Sequence, residues 1–96
     1  MTAYVLAFMD VKDDEIYDRD YVAYVGPLVA KHGGKPIALT KGADVREGNW
    51  PKGRNILLEF PDRAAAEAWY EDSEYAPYIK LRNELADGCL AIIDGL

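Results

Sequence analysis

The alternation of apolar and polar residues along the chain predicts four main strands. Tyr4–Val11 is apolar at both alternating sets of positions, which is typical of a strand covered on both faces. Lys35–Lys41 and Arg54–Phe60 each place apolar residues on one face, and Cys89–Ile93 is a last apolar run. A further short strand is predicted over Asp44–Glu47, at the start of a segment rich in turn residues.

Apolar and aromatic residues at spacings of three and four predict a first helix over residues 13–31. Acidic residues at its start suit the positive end of the helix dipole. Pro27 removes one backbone hydrogen bond and should kink this helix. Gly33 should end it in the left-handed conformation that glycine adopts without a steric cost.

Two more helices are predicted between the third and the last strand. Asp62 is placed as the N-cap of the first of them, and the three alanines that follow at 64–66 are strong helix formers. Ser73 is placed as the N-cap of the second, which tolerates Pro77 because that residue falls in the first turn. Gly88 should break this helix before the last strand.

The predicted element order is close to the split βαβ arrangement, an α+β ferredoxin-like fold in which an antiparallel sheet carries helices on one face. Helices on one side leave the second face of the sheet uncovered, although the first strand is apolar toward both faces. In a chain of this size a second copy is the simplest cover. We therefore expect residues 1–96 to form one domain and to associate sheet to sheet as a homodimer.

Charge and cysteine content exclude several classes of partner. The net charge is −6 with no local Lys/Arg cluster, so neither nucleic acid nor an anionic membrane surface is an expected partner. No apolar stretch approaches the ~20 residues of a membrane span, and no basic segment opens the chain like a signal peptide, so we expect a cytoplasmic protein. Cys89 is the single cysteine and is expected to be a small buried apolar residue.

Polar residues beside apolar runs are the candidates for chemistry. His32 is the only histidine, so any imidazole acid–base step would use it; alternatively, it caps the end of the first helix. Trp50 at a loop tip either covers a cleft or packs on the core or on a partner. Arg54 is a candidate anion clamp, unless it forms a salt bridge with Glu47 or Glu59.

Three further residues complete the candidate ligand-binding set. Glu59 alternates with the apolar residues of its strand and should face the opposite side of the sheet, as a paired structural carboxylate or as a general base. Tyr70 is one of many phenols in the helical layer, which either pack amphipathically or line a pocket for a flat ligand. Arg82 either closes such a pocket or pairs with an acid. The phenols are Tyr17, Tyr21, Tyr24, Tyr70, Tyr75 and Tyr78.

The sequence gives no indication of a metal or cofactor. One histidine and one cysteine are too few for a typical zinc or copper site. No G-x-G-x-x-G or P-loop pattern occurs, and no serine lies in a Gly-x-Ser-x-Gly context. We therefore expect no bound metal and no cofactor.

A series of short motifs spans nearly the whole chain: Pro27 with His32-Gly33-Gly34, Glu47-Gly48-Asn49-Trp50-Pro51 with Arg54, Glu59-Phe60-Pro61, Trp69-Tyr70, Ser73-Glu74-Tyr75 and Arg82. With these motifs the chain resembles Domain-of-unknown-function family 1330, in the dimeric α/β-barrel superfamily. The resemblance implies the ferredoxin-like fold and dimerisation. Such sequences often have Asp where this chain has Asn49, which removes one carboxylate from the cleft rim.

The resemblance leaves several functions open, because the superfamily includes cofactor-independent monooxygenases, muconolactone-type isomerases and haem proteins. The first hypothesis is a cofactor-independent enzyme of the monooxygenase or isomerase type, acting on a carboxylated or phenolic metabolite. His32 would move protons, Arg54 or Arg82 would orient an anion, and Trp50 and Tyr70 would exclude water. The alternatives are a non-catalytic small-ligand-binding or interaction module and a purely structural role.

Overall fold

The computed structural model describes all 96 residues, Met1–Leu96. In chain order the elements are β1 (Ala3–Val11), α1 (Asp14–Tyr17), a π-helical segment (Asp18–Val22), α2 (Ala23–Lys31), β2 (Lys35–Thr40), β3 (Arg54–Phe60), α3 (Arg63–Tyr70), α4 (Ala76–Leu85) and β4 (Ala86–Asp94). The four main strands are confirmed. The short strand predicted over Asp44–Glu47 is wrong, since residues 41–53 form no regular element.

The four strands form one antiparallel sheet in the order β2-β3-β1-β4. This order and the helices between the strands give the α+β ferredoxin-like fold that the sequence predicts. Along β1, alternate residues from Ala3 to Met9 are buried under the helices. The register places Val5 between Leu58 of β3 and Ile92 of β4, so apolar side chains from the three strands meet on this face.

The second face of the sheet, which we call the open face, carries no helix. The register assigns to it the remaining residues of three strands: Tyr4, Leu6, Phe8, Asp10, Asn55, Leu57, Glu59, Asp87, Cys89, Ala91 and Ile93. Cys89 lies opposite Phe8 and is exposed, so its predicted burial is wrong for the single chain. Apolar residues therefore stand at the surface in the centre of the sheet.

The first helix is present but is interrupted. Asp13 caps it, accepting a hydrogen bond from the Ile16 backbone N–H at 3.1 Å, and α1 then passes through the π-helical segment into α2. Wider π turns of this kind are frequent at functional sites, and here the segment carries the buried Tyr21. Gly33 has φ 78° and donates its N–H to the Ala30 carbonyl at 3.0 Å, which confirms the predicted helix end.

The two later helices confirm one predicted boundary and correct two. Asp62 is the N-cap of α3, because its side chain accepts a hydrogen bond from the Ala65 N–H at 2.8 Å. Ser73 is not the N-cap of α4: Tyr75 holds that position, without a side-chain hydrogen bond. The turn before α4 is closed instead by Asp72, which accepts from the Glu74 N–H at 2.9 Å.

Gly88 does not break a helix, contrary to the sequence prediction. Helix α4 ends three residues earlier, and Gly88 lies inside β4 opposite Met9. A Cβ at this position would collide with the Phe8 carbonyl oxygen, so the close approach of β4 to β1 requires a residue without a side chain.

Aromatic packing fixes α3 and α4 on the sheet. Trp69 of α3 is fully buried, stacks on Tyr75 with 4.5 Å between ring centroids, and contacts Phe60 of β3 at 5.6 Å. Tyr75 directly precedes α4, so this stack holds the start of α4 over the sheet. None of the helices combines the length and the apolar character needed to cross a membrane.

Candidate functional site

A cavity of about 440 Å³ lies between the helices and the sheet. Its volume falls within the roughly 300–1,000 Å³ of typical small-molecule sites. Of its 23 lining residues, 14 are hydrophobic, and the lining contains no histidine and no carboxylate. Its walls are formed chiefly by Val5, Ala7 and Met9 of β1, Tyr21, Val25 and Val29 of the first helix, and Leu39, Ile56 and Leu58 of β2 and β3.

The cavity opens between α2 and the edge strand β2. Val22, Gly26 and Ala30 line it at successive turns of the helix and are exposed, so they form one lip of the mouth. Pro36 and Leu39 of β2 are also exposed and form the other lip. A molecule can therefore reach the apolar interior without displacing a main element of the fold.

Arg82 is the buried cation of the cavity. It lines the cavity from α4, its residue is 7% exposed, and its Nη1 donates a hydrogen bond to the Tyr75 hydroxyl at 2.9 Å. The Tyr75 hydroxyl is in turn 2.7 Å from the Tyr21 hydroxyl. Burial raises the pKa of Tyr75 above its ordinary value, so the phenol stays protonated. Burial opposes the charge of Arg82, but the neighbouring tyrosines outweigh it and raise the guanidinium pKa.

Arg54 also lines the cavity, but its charge is neutralised by two carboxylates. Its Nη1 donates to Asp18 and its Nη2 to Asp14, each at 2.7 Å, and the guanidinium lies 4.8 Å from the centre of the Tyr17 ring. The hydrogen bond from Arg54 lowers the pKa of the Asp14 carboxyl. The predicted alternative, a salt bridge from Arg54 to Glu47 or Glu59, is wrong. Glu59 points to the open face. Glu47 is not a partner either, since the ion pairs of Arg54 are those with Asp14 and Asp18.

His32 and Trp50 do not line the cavity. His32 donates from Nε2 to Asp72 Oδ2 at 2.8 Å, at the junction of α2 with the turn before α4. Trp50 lies toward the open face, where its Nε1 donates to Asn55 Oδ1 at 2.7 Å and its ring meets Phe8 edge-on at 5.3 Å between centroids. The structure therefore does not bring His32, Trp50 and Arg82 together in one cleft.

Glu59 and Tyr70 also lie outside the lining of the cavity. Glu59 faces the open face, as the alternation of β3 predicts, and lies 3.6 Å from the Lys35 ammonium. Tyr70 is partly buried at the end of α3, with its ring centre 6.0 Å from that of Tyr75. It thus contacts the aromatic stack that supports Arg82. Among the predicted ligand-binding residues, Arg54 and Arg82 are the two that line the cavity.

No three histidine, cysteine or carboxylate side chains converge in a group that could hold a metal ion. His32 and Asp72 form the one contact between two such side chains that resembles part of a metal site. The Nζ of Lys31 lies 3.1 Å from the same Asp72 carboxylate. A cationic lysine makes that cluster an ion-pair network.

The model of a family described as a domain of unknown function, DUF1330, matches residues 2–96. The chain belongs to DUF1330. Among curated proteins, none matches the sequence of this DUF1330 chain.

Solved structures share the fold of this DUF1330 chain at low sequence identity. A dimeric ferredoxin-like protein of unknown function from Jannaschia has a TM-score of 0.75 at 14% identity, covering 99% of this chain and 100% of that one. SnoaB, a cofactor-independent oxygenase from Streptomyces nogalater, has 0.65 at 14% identity, covering 99% and 92%. A putative antibiotic biosynthesis monooxygenase from Nitrosomonas europaea has 0.63 at 18% identity, covering 100% and 99%. These likenesses show the fold.

Several residues at the cavity were not singled out from the sequence of this DUF1330 chain. Asp14 and Asp18 stand four apart on the first helix, a spacing that places both on one face, but their partner Arg54 is distant in sequence. Tyr21 and Tyr75 were grouped with the other phenols, and nothing in their spacing indicates that their hydroxyls meet.

Replacing Asp72 with asparagine should remove an acid-sensitive contribution to stability. Hydrogen bonds from His32, from the Glu74 backbone N–H and from Lys31 lower the pKa of Asp72 below its ordinary 3.8. A carboxyl whose pKa is lowered by folding stabilises the fold at pH values above its ordinary pKa. This stabilisation is lost progressively as the pH falls below the ordinary pKa toward the lowered one. The Tm of the wild type, measured by thermal unfolding, should therefore fall more steeply between about pH 4 and about pH 2 than the Tm of Asp72→Asn.

Glu84→Gln is the matched control for this measurement, because Glu84 is exposed on α4, away from the open face, and its side chain makes no hydrogen bond or ion pair. Its acid profile should follow that of the wild type. Parallel profiles for the wild type and Asp72→Asn would show that the contacts of Asp72 add nothing to stability.

Proposed function

We propose that this DUF1330 protein binds a small, mainly apolar organic molecule, carboxylated or phenolic, in the cavity between its helices and its sheet. The observation that carries the proposal is the cavity itself: about 440 Å³, mostly hydrophobic and open at one side. A mainly apolar lining favours transfer of an apolar molecule from water, and a few polar groups suffice to orient it. The same lining without histidine or carboxylate favours binding over acid–base catalysis.

We also propose that the binding protein is a homodimer that pairs through the open face, with residues 1–96 acting as one domain in each copy. The open face supports this, because Leu6, Leu57 and Ala91 lie side by side in its centre. A related dimeric protein of the same fold, from Jannaschia, also supports it. An uncovered apolar sheet centre would otherwise be exposed to water.

A bulky residue at the mouth should block binding. Ala30→Trp places an indole on the α2 lip, facing β2, and should weaken binding of the apolar fluorescent probe N-phenyl-1-naphthylamine by at least about tenfold. The enhanced emission of the probe in apolar surroundings is the measurement. Ala23→Trp is the matched control, because Ala23 is exposed on the same helix and does not line the cavity. Absence of probe binding by the wild type, or equal binding by both variants, would contradict the proposed site.

A second candidate function is a cofactor-independent enzyme of the oxygenase or isomerase type. Its support is Arg82 beside the hydroxyl groups of Tyr21 and Tyr75, a set of donors that can stabilise negative charge developing on a bound substrate. SnoaB, of the same fold, is a cofactor-independent oxygenase. O2 uptake above the uncatalysed rate with a phenol such as 1-naphthol would favour this candidate. Binding of N-phenyl-1-naphthylamine without such O2 uptake would favour the binding function over the oxygenase.

A further inference from the structure

Arg82 is a buried cation without a counter-charge. Its polar neighbours are tyrosine hydroxyls, no carboxylate lines the cavity, and its Nε is buried without a hydrogen-bond partner. By contrast, Arg54 contacts two carboxylates and Arg63 contacts Glu67 and Asp94. Burial of an unpaired charge is costly unless a partner supplies the opposite charge. Arg82 therefore has hydrogen-bonding neighbours but no counter-charge within this chain, and a bound anion would supply one.

The hydroxyls beside Arg82 provide a donor as well. The Tyr75 oxygen accepts a hydrogen bond from Arg82 and shares one hydrogen with the Tyr21 oxygen, 2.7 Å away. Each hydroxyl carries one hydrogen, and only one of the two hydrogens can lie between the two oxygens. The other O–H therefore has no acceptor within the chain. The Arg82 end of the cavity thus combines a cation and a spare hydroxyl donor with no acidic acceptor.

The accessible donors beside Arg82 suit a carboxylate. Nη1 of Arg82 is occupied by Tyr75 and Nε is buried, which leaves Nη2 as the guanidinium nitrogen that is free to bind. A carboxylate has two oxygens, so one can accept a hydrogen bond from Nη2 and the other from the spare tyrosine hydroxyl.

The charges at the other parts of the cavity limit the ligand to one anionic group. Lys41 at the mouth lies 3.6 Å from Asp14, and Lys35 lies 3.6 Å from Glu59. Arg54 is neutralised by Asp14 and Asp18. Since these cations already have acidic partners, a second anionic group on the ligand would find no free counter-charge.

We propose, on the basis of the binding function above, that the ligand is an organic monocarboxylate whose carboxylate pairs with Arg82 and the Tyr21–Tyr75 hydroxyls. Its apolar body extends along the β1 wall of the cavity toward the mouth. This orientation places the negative charge of the ligand beside Arg82, for which the chain has no counter-charge, and the hydrocarbon against hydrophobic side chains.

The test compares two ligands of the same shape, 2-naphthoate and 2-naphthamide, by isothermal titration calorimetry. The wild type should bind the carboxylate on the order of tenfold more tightly than the amide, because hydrogen bonds to a charged group are the stronger ones. Arg82→Met should abolish that preference and keep the binding of the amide. Lys80→Met is the control, because it removes the same charge from an exposed position of α4; it should keep the preference.

Tyr21→Phe makes the test independent of the folding of Arg82→Met. It removes one hydroxyl and keeps the ring, and it should reduce the preference for the carboxylate several-fold. Equal binding of the two ligands by the wild type, or an unchanged preference in Tyr21→Phe and in any folded Arg82→Met, would overturn the carboxylate site and leave the cavity as a binding site. Failure of the wild type to bind N-phenyl-1-naphthylamine would instead overturn the proposed function itself.

Discussion

Trp69→Ala should lower the free energy of unfolding by about 3–5 kcal/mol, the range for truncating a large buried aromatic side chain. Trp69 is fully buried, with Tyr75 stacked at 4.5 Å and Phe60 at 5.6 Å. Its removal leaves a void that joins the existing cavity, because Trp69 is part of the cavity lining. It also removes the support of Tyr75, the acceptor of the Arg82 hydrogen bond. Urea unfolding followed by circular dichroism measures the change.

Two variants control this experiment. Tyr24→Ala truncates an aromatic side chain at an exposed residue of α2, outside the cavity and away from the open face, and should change stability by less than about 1 kcal/mol. Trp69→Phe keeps an aromatic ring and removes an indole N–H that is buried without a hydrogen-bond partner, so it should be less destabilising than Trp69→Ala. Similar stabilities for Trp69→Ala and the wild type would mean that the aromatic stack does not hold α3 and α4 to the sheet.

Leu6→Glu should convert the proposed dimer to monomers. Leu6 lies in the centre of the open face between Leu57 and Ala91, so a carboxylate there would be buried without a partner in a sheet-to-sheet interface. An unpaired buried charge costs several kcal/mol, and the dissociation constant should rise by about a thousandfold or more. In the separated chain the new carboxylate is at the surface, so the fold should persist. Sedimentation equilibrium measures the association, and circular dichroism checks the fold.

Leu39→Glu is the matched control for association. Leu39 is 60% exposed on β2, but it belongs to the lip of the cavity on the helical side of the sheet. This variant should remain as associated as the wild type. If Leu6→Glu also stays associated, the copies do not pair through the open face. A wild type that is monomeric at all concentrations would contradict the dimer altogether.

The fold could be predicted from the sequence because its main signals are local. Continuous apolar runs or alternating apolar residues mark the strands, and Asp62 and Gly33 mark helix ends through contacts within three or four residues. Boundaries set by distant contacts were predicted less well. Gly88 follows a helix in sequence and resembles a helix breaker, yet the reason for a glycine there is the backbone of β1, about 80 residues away in the chain.

The candidate site could be predicted only in part, because sequence spacing does not show which side chains meet across the fold. Arg54 and Arg82 were identified by their chemistry, and both line the cavity. His32 and Trp50 were identified in the same way, but the end of α2 directs His32 to Asp72 and the long loop carries Trp50 to the open face. The decisive contact, between Tyr21 and Tyr75, joins positions 54 residues apart.

The sheet separates the cavity from the open face. Val5 and Ala7 line the cavity on one side of β1, while Leu6 lies on the other side and faces away from it. In a dimer paired through the open faces, two layers of strands would stand between the two bound ligands. Each protomer would then fill independently, with a stoichiometry of two per dimer and no cooperativity between the sites.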